Sequence, residues 1–547
     1  MPDRTRWRAM ASLRDSAAPG TRGSWLTSFV LLMVVMGSWA FASPLFSSPD
    51  EPSHVVKGAA VARLQFLGRQ VVQLRGGPGR EVVDEPIATL VDVPLVFTQA
   101  HEVPTCYAFR SERTAECAAA FSGQKRSGEV ATYAGRNPPL YYFLVGLPTL
   151  AFPSATGVYL MRLVSAALSA AFLASAFASA REWRGPRLLV LGTALAVSPM
   201  VLFLASTVNP NSLEVSAALC CWVSGLVLVE RRNSPGDGRL LARTGVAASV
   251  LVLARALSLL WLVIIGAVLI GLMSRADLKV LVRRRDAKWW LGGVVAASVL
   301  AVAWVVGANA LDMGRPLQVA DYTVVESLRL SLGATGGLVR QMIGVFGWLD
   351  APSPLLTYIL WLFAVGFVIV LGLATGSLRT VAVIVSVVAL TILVPAVVDA
   401  RGARAGYGFI WQGRYTLPLA VGVPVLSAYA ASKGLAGGRS QVGGIARVLA
   451  VMIFLAQVFA YVWAFRRYTV GLDGGLNILD GRWRPPLPVA ALLGTFVLSQ
   501  LCFGWWMCRL VSVGCSGGDH SAAGDGGGRQ RSLPGRRGGS ERLAGAL

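Results

Sequence analysis

Five runs of apolar residues constrain this chain more than any other feature: Trp25 to Phe46, Leu188 to Val208, Ala256 to Met273, Trp289 to Val306 and Val381 to Val398. Each is about 17 to 22 residues long, and at about 1.5 Å per helical residue that length crosses a hydrocarbon core of about 30 Å. Charge is scarce to match. Only 14% of the 547 residues are charged and the mean hydropathy is +0.59. A soluble protein of this size would carry roughly 25%, or about 60 more charges. An ordinary soluble enzyme, a disulfide-dense scaffold and a disordered chain are excluded. The expectation is an all-α polytopic membrane protein.

Extending the search to shorter runs predicts about 12 transmembrane helices, within 11 to 13. They cover Trp25–Ser43, Ala155–Ala180, Leu188–Val208, Leu213–Val229, Leu240–Ala254, Leu257–Met273, Trp289–Val306, Leu355–Ala374, Val381–Val398, Thr416–Ala431, Val448–Ala464 and Pro488–Met507. Residues 1–24 form a basic N-terminal tail, 25–509 the membrane domain, and 510–547 a Gly-, Ser- and Arg-rich tail with no apolar face, expected to be disordered. A long first loop with interfacial helices occupies 44–154. The first span has a second reading as a secretory signal, because Arg residues, an apolar run and Ala40-Phe41-Ala42 resemble a cleavable leader.

The formal net charge of +22 would suggest nucleic acid in a soluble chain. In a membrane protein it reports topology, because cytoplasmic loops collect Lys and Arg. With the N-terminus inside, the inside segments hold about 28 basic residues, the short outside loops about 10 and the long first loop about ten more. Both termini are therefore expected in the cytoplasm of a bacterial plasma-membrane protein, with membrane lipids as partners and no nucleic acid. Losing or adding one short span would invert part of this map. Four cysteines, Cys220, Cys221, Cys502 and Cys508, fall in apolar runs and read as core residues. Cys106 and Cys117 lie in the long first loop, where a disulfide is expected to stabilise it by roughly 2–3 kcal/mol. Two free thiols are the alternative.

Chemistry-bearing residues gather on one predicted face. Ser48-Pro49-Asp50-Glu51-Pro52-Ser53-His54 follows the first span. A carboxylate there suits deprotonation of an acceptor hydroxyl, or the holding of a divalent cation (Mg or Mn, on Asp50 and Glu51) against a phosphate leaving group. The blander reading is a helix cap, with Asp50 at the start and Glu51 in the first turn. A similar Asp84-Glu85-Pro86 lies deeper in the loop. Arg136-Asn137-Pro138-Pro139-Leu140-Tyr141-Tyr142 suits the start of an interfacial helix, with paired Tyr at headgroup level. Arg162, Arg255 and Glu214 are ionisable groups near span ends, functional by default, with snorkelling to the interface as the alternative for Arg162 and Arg255. Phe346-Gly347-Trp348-Leu349-Asp350, Gln412-Gly413-Arg414-Tyr415 and Trp483-Arg484-Pro485-Pro486 share the same face. Guanidinium forks suit phosphate and aromatic planes suit sugars.

The order of these motifs resembles the GT-C superfamily of integral-membrane glycosyltransferases, which use lipid-phosphate sugars. More closely, Pro49-Asp50-Glu51-Pro52-Ser53-His54, Asn137-Pro138-Pro139-Leu140-Tyr141-Tyr142, Asn209-Pro210-Asn211, Phe346-Gly347-Trp348-Leu349-Asp350 and Gln412-Gly413-Arg414-Tyr415 resemble a bacterial family of membrane proteins, domain-of-unknown-function family 2142. The resemblance runs from about Pro49 to Pro486. It implies a GT-C-like fold, a polyprenyl-phosphate-linked sugar donor at the outer leaflet, an envelope glycan or lipid acceptor, and inversion at the anomeric carbon. Asp50 would be the base or acceptor-orienting carboxylate, supported by Glu51 and His54. Arg136, Arg162 and Arg414 would meet the lipid phosphate, and Asn137, Tyr141, Tyr142, Asn209, Trp348, Asp350, Gln412 and Tyr415 would line the substrate site. One departure is Asn137, directly before the Pro pair, where related aminoarabinose transferases carry Lys. A polytopic transporter, a lipid-linked glycan flippase or a polymerase is the competing class.

Overall fold

The computed structural model describes residues 21–71, 74–75, 83–84, 88–183, 188–231, 237–312, 322–435 and 439–516. Long apolar runs have no water to satisfy their amides inside a bilayer, so each must close its hydrogen bonds internally as a helix. All twelve predicted runs are helical. Nine of these helices, among the described residues, are long and apolar enough to cross a membrane, and two bent pairs raise the number to as many as eleven. The twelfth run forms Gly238–Ala254, a 17-residue helix.

The expected Leu188–Val208 span is two helices, Leu188–Ala196 and Pro199–Ala205, bent by 61°. Pro199 offers no amide to the turn before it, and the Ser198 hydroxyl caps Val201 instead, so the chain restarts in a new direction. Ser258–Leu272 is followed at 118° by Arg275–Arg283, a short amphipathic helix with no buried residue. Two helices absent from the sequence reading, Val324–Gly333 and Thr335–Gly344, precede Leu355–Thr375. The last helix runs to Ser516, beyond the expected start of the tail, and residues 517–547 lie outside the described residues, as do residues 1–20.

Pro210–Arg231 is the central helix, buried along its apolar length. It packs against Gly238–Ala254, Ala155–Arg181 and Ser258–Leu272, while Thr21–Ala42 lies between Ala155–Arg181 and Val489–Ser516. Trp39 anchors the core, with Phe203, Phe346, Tyr461 and Phe496 around it at ring-centroid distances of 5.7, 5.1, 5.0 and 6.2 Å. By contrast Arg285–Gly307 buries only Ala297 and Ala301 and rests on Gly238–Ala254.

The segment after the first span is a small folded layer. Helix Glu51–Ala62 is buried throughout and packs on helix Pro139–Gly146. Gly58 and Gly146 permit that approach, since a Cβ on Gly146 would lie 2.0 Å from the Gly58 carbonyl oxygen. An antiparallel sheet, in the order Arg69–Val71, Ala88–Pro94, Ser127–Thr132, covers the same helix. Alternation turns Val91, Val93 and Val130 inward onto Val55, Val56 and Phe97. The sequence reading held interfacial helices here and no sheet. Strands of seven and six residues give too short an alternation to stand out. The disulfide between Cys106 and Cys117 is formed. Reducing it, or replacing Cys117 with Ser, is expected to lower stability by roughly 2–3 kcal/mol, read as a lower melting temperature in reductant.

Candidate functional site

Asp50 stands at the N-cap position of helix Glu51–Ala62, but its side chain makes no capping bond and its backbone is left-handed, at φ 62 and ψ 1. A non-glycine residue in that region is strained by about 1 kcal/mol or more, though Asp tolerates it better than most. The carboxylate is instead ion-paired with Arg414 and remains half exposed. The helix-cap reading therefore fails for the side chain. Arg414, in the first turn of Gly413–Ala420, is buried. Its Nη2 donates to Asp50 and to the Tyr415 hydroxyl at 3.1 Å, and its Nη1 reaches the Pro49 carbonyl at 3.4 Å. Its Nε has no hydrogen-bond partner among the described residues. Asn209 holds the same Pro49 carbonyl, also at 3.4 Å.

A second guanidinium stands beside the first. Arg255 lies in the extended break between Gly238–Ala254 and Ser258–Leu272. It covers the Tyr415 ring at 4.8 Å, while Arg414 lies 5.1 Å from the ring centroid. Glu214 answers Arg255 at 3.8 Å and accepts from Ser258 at 2.7 Å and Asn211 at 3.2 Å. Burial raises the Asp50 pKa, but the positive charges of Arg414 and Arg255 outweigh it and hold the group below its ordinary 3.8. Asp50 is thus ionised throughout the physiological range.

Glu51, one residue on, belongs to a different site. Successive helical residues point about 100° apart, so the two carboxylates diverge. Glu51 is fully buried and takes Arg162 in a two-point bridge, Nε to Oε1 and Nη2 to Oε2, each 2.7 Å. Its Oε1 also accepts the Val208 amide at 3.1 Å. Arg162 gives its remaining donors to the carbonyls of Ala40, Ser43 and Pro44 at 2.9, 2.8 and 2.6 Å. All five guanidinium donors are used, which leaves none for a lipid phosphate. This pair fastens the end of the first span and so sets the position of Asp50. The divergence also bears on the divalent cation expected at Asp50 and Glu51. Each carboxylate has its own arginine, and among the described residues no group of three or more His, Cys, Asp or Glu converges. That donor set does not fit a divalent ion.

His54 is buried, and its Nδ1 lies 2.8 Å from the Tyr142 hydroxyl, which also receives Asn137 Nδ2 at 2.8 Å. Tyr141 meets Ser165 at 2.9 Å. Burial, reinforced by Arg414 and Arg255 against the pull of Asp50, lowers His54 to about 3. The unfolded chain therefore takes up a proton near pH 6.5 that the folded protein refuses until about pH 3. Stability is present above 6.5 and declines as pH falls toward 3. At pH 5 the loss is roughly 2 kcal/mol. His54→Gln, which keeps an acceptor for Tyr142, should flatten the fall in melting temperature between pH 7 and pH 5.

The remaining expected residues fall into two groups. Arg136 donates from Nη1 to the carbonyls of Asn309 and Asp312 at 3.0 and 2.8 Å, and its Nε and Nη2 have no hydrogen-bond partner among the described residues. Lys57, which the sequence reading missed, donates to the carbonyls of Phe66 at 2.6 Å and Gly135 at 2.5 Å beside Trp304. Its signal was a lone charge in an otherwise apolar stretch, Val55 to Ala62, and its burial pushes it down to about 8. In the other group, Trp348 donates from its indole to the Phe46 carbonyl at 3.1 Å, and Asp350 accepts from Arg467 at 2.6 Å. Gln412, whose Oε1 has no partner among the described residues, lines a small cavity with Pro49, Leu349 and Arg414. Arg467 was also missed. Its signal was the Arg466-Arg467 pair at the end of a span, on the face otherwise poor in basic residues. Glu85 and Pro86 of the second acidic motif lie outside the described residues.

Among solved structures, the chain is similar to ArnT from Cupriavidus metallidurans in its apo state, at 13% identity and a TM-score of 0.37, covering 90% of this chain and 78% of that one. It is similar also to the same protein bound to undecaprenyl phosphate, at 13% identity and 0.34, covering 91% and 78%. No match was found among curated proteins. A family model described as predicted membrane protein (DUF2142) matches residues 32–423. That match takes in well over half of a mainly helical chain with the Asp50 motif near its start, and the chain belongs to the DUF2142 family of predicted membrane proteins.

Proposed function

We propose that this protein is a membrane glycosyltransferase that moves a sugar from a polyprenyl-phosphate donor to a cell-envelope glycan or lipid, at the outer face of the bacterial plasma membrane. The observation that carries the reading is the half-exposed Asp50, strained out of its capping role and paired with a buried arginine that has a second arginine beside it. The formed disulfide supports an oxidising side for the same face, and the basic residues gathered at the opposite end support cytoplasmic termini.

In the reaction, the acceptor hydroxyl donates to the Asp50 carboxylate, which aligns its oxygen with the anomeric carbon. A carbon–oxygen bond forms to the acceptor as the bond from that carbon to the donor phosphate breaks on the opposite side, which inverts the centre. The acceptor proton passes to Asp50 and the bond's electron pair leaves on the lipid phosphate. Arg414, with its free Nε, and Arg255 stabilise the charge that develops there. Drawing Arg414 toward the phosphate also relaxes its hold on Asp50, whose basicity rises as the proton arrives.

Comparing envelope glycans and lipid-linked intermediates between a deletion strain and its parent tests the reading. The expected result is loss of one sugar from an envelope component and accumulation of its lipid-linked donor. Identical profiles would contradict it. A transporter or flippase would instead expose Arg255 and Arg414 alternately to both sides, and accessibility labelling distinguishes the two.

A further inference from the structure

We infer that Phe109 and Trp348 form a stacking ledge for a sugar ring of the acceptor, carried on a loop that the disulfide and one arginine hold in place. This inference rests on the transferase reading and adds where the acceptor binds. Phe109 is 72% exposed and has φ 62, a left-handed backbone that a bulky side chain adopts only under constraint. An aromatic that costs both exposure and strain marks a surface shaped for contact. Its ring lies 5.5 Å from that of Trp348, inclined by 57°.

Trp348 sits in the turn of a hairpin, Val345–Phe346 paired with Ala351–Pro352. Gly347, at φ 63, is required there, because a Cβ would lie 2.2 Å from Asp350 Oδ1. The Trp348 indole is tied to the Phe46 carbonyl in the segment leading to Asp50, and Leu349 and Pro49 share the small cavity at Arg414. The ledge therefore adjoins the proposed catalytic carboxylate.

One side chain sets both halves of it. Arg467, fully buried, donates to Asp350 under the hairpin and to the carbonyls of Tyr107, Arg110 and Arg113 in the loop bearing Phe109. The Cys106–Cys117 bond closes that loop, and the Leu472 amide pins it at the Ser111 carbonyl at 2.9 Å. Behind the loop opens a cleft of about 780 Å³, walled by Glu112, Arg113 and Glu116 on one side and Asn477, Asp480 and Arg482 on the other. Aromatic faces take the C–H faces of a pyranose, and charged and amide groups of both signs take its hydroxyls. An acceptor with more than one sugar would stack on the ledge and run into the cleft.

The test uses full-length protein in lipid nanodiscs and, as probe, glycan released by mild acid from the envelope of the deletion strain. Phe109→Gly suits the left-handed backbone and should fold at least as well as the parent, with an unchanged or higher melting temperature. It should nonetheless weaken binding of the probe by about tenfold. Trp348→Ala should do the same and Phe109→Tyr should bind like the parent. Binding by Phe109→Gly at parental strength, or no binding of the probe by the parent itself, would overturn the ledge. Asp50→Asn separates this inference from the reading beneath it: its amide oxygen still accepts from the acceptor hydroxyl, so it should bind the probe within about threefold of the parent while transfer falls by about 10²–10⁴-fold. Full transfer by Asp50→Asn would remove the transferase reading, whereas a dead Asp50→Asn beside an unaffected Phe109→Gly would remove the ledge alone.

Discussion

Asp50→Asn should leave the protein inserted in the membrane and reduce sugar incorporation into the envelope by about 10²–10⁴-fold. The amide keeps the size of the side chain and can still accept a hydrogen bond from Arg414. It cannot accept the acceptor proton, and it no longer neutralises the guanidinium. Because the parent carboxylate is half exposed, the substitution empties no packed volume, and a change in melting temperature should be small compared with the change in activity. Quantifying the incorporated sugar against membrane-inserted protein checks this. Retention of full activity would place Asp50 outside the mechanism.

The largest effect on stability is expected one residue later. Glu51→Gln or Arg162→Met leaves a buried charge without its counter-charge, at a site where both side chains are fully enclosed. Removing one partner of such a pair costs roughly 3–5 kcal/mol. Arg162→Met is the more damaging of the two, because it also strips hydrogen bonds from the carbonyls of Ala40, Ser43 and Pro44. The double variant Glu51→Leu with Arg162→Met removes the uncompensated charge and should regain part of the loss, but those carbonyls stay unpartnered and recovery should be incomplete. Melting temperatures of the purified variants in one detergent measure all three. A double variant no better than Arg162→Met would show that the carbonyl bonds, not the charge pair, hold this junction.

These two expectations differ because adjacent carboxylates have different partners, and that difference was not legible in the sequence. Spacing brought Asp50, Glu51 and three arginines to one face, since runs of apolar residues fix which span ends share a side. It could not say which arginine serves which acid. Asp50 and Arg414 are far apart in sequence, and their meeting depends on how the Gly413–Ala420 helix packs against the Pro210–Arg231 helix. A further 100° of helical rotation, together with a left-handed residue at position 50, sends the two acids apart. The spans themselves were legible because a hydrocarbon core allows so few backbone solutions. The sheet of Ala88–Pro94 was not, because short strands over a buried helix leave little periodicity in a mixed sequence. Lys57 and Arg467 were overlooked for a related reason: Lys57 has main-chain carbonyls for partners and Arg467 has three of them beside Asp350, and carbonyls leave no trace in residue identity.

The reach of Asp50 toward the exterior is the measurement on which the account turns. A cysteine placed at position 50 of the full-length protein should react in intact cells with a thiol reagent that cannot cross the membrane, and prior addition of excess polyprenyl phosphate to exposed membranes should slow that reaction. Labelling only after the membrane is inverted would put the Asp50–Arg414 pair on the cytoplasmic side and contradict an outer-face transferase.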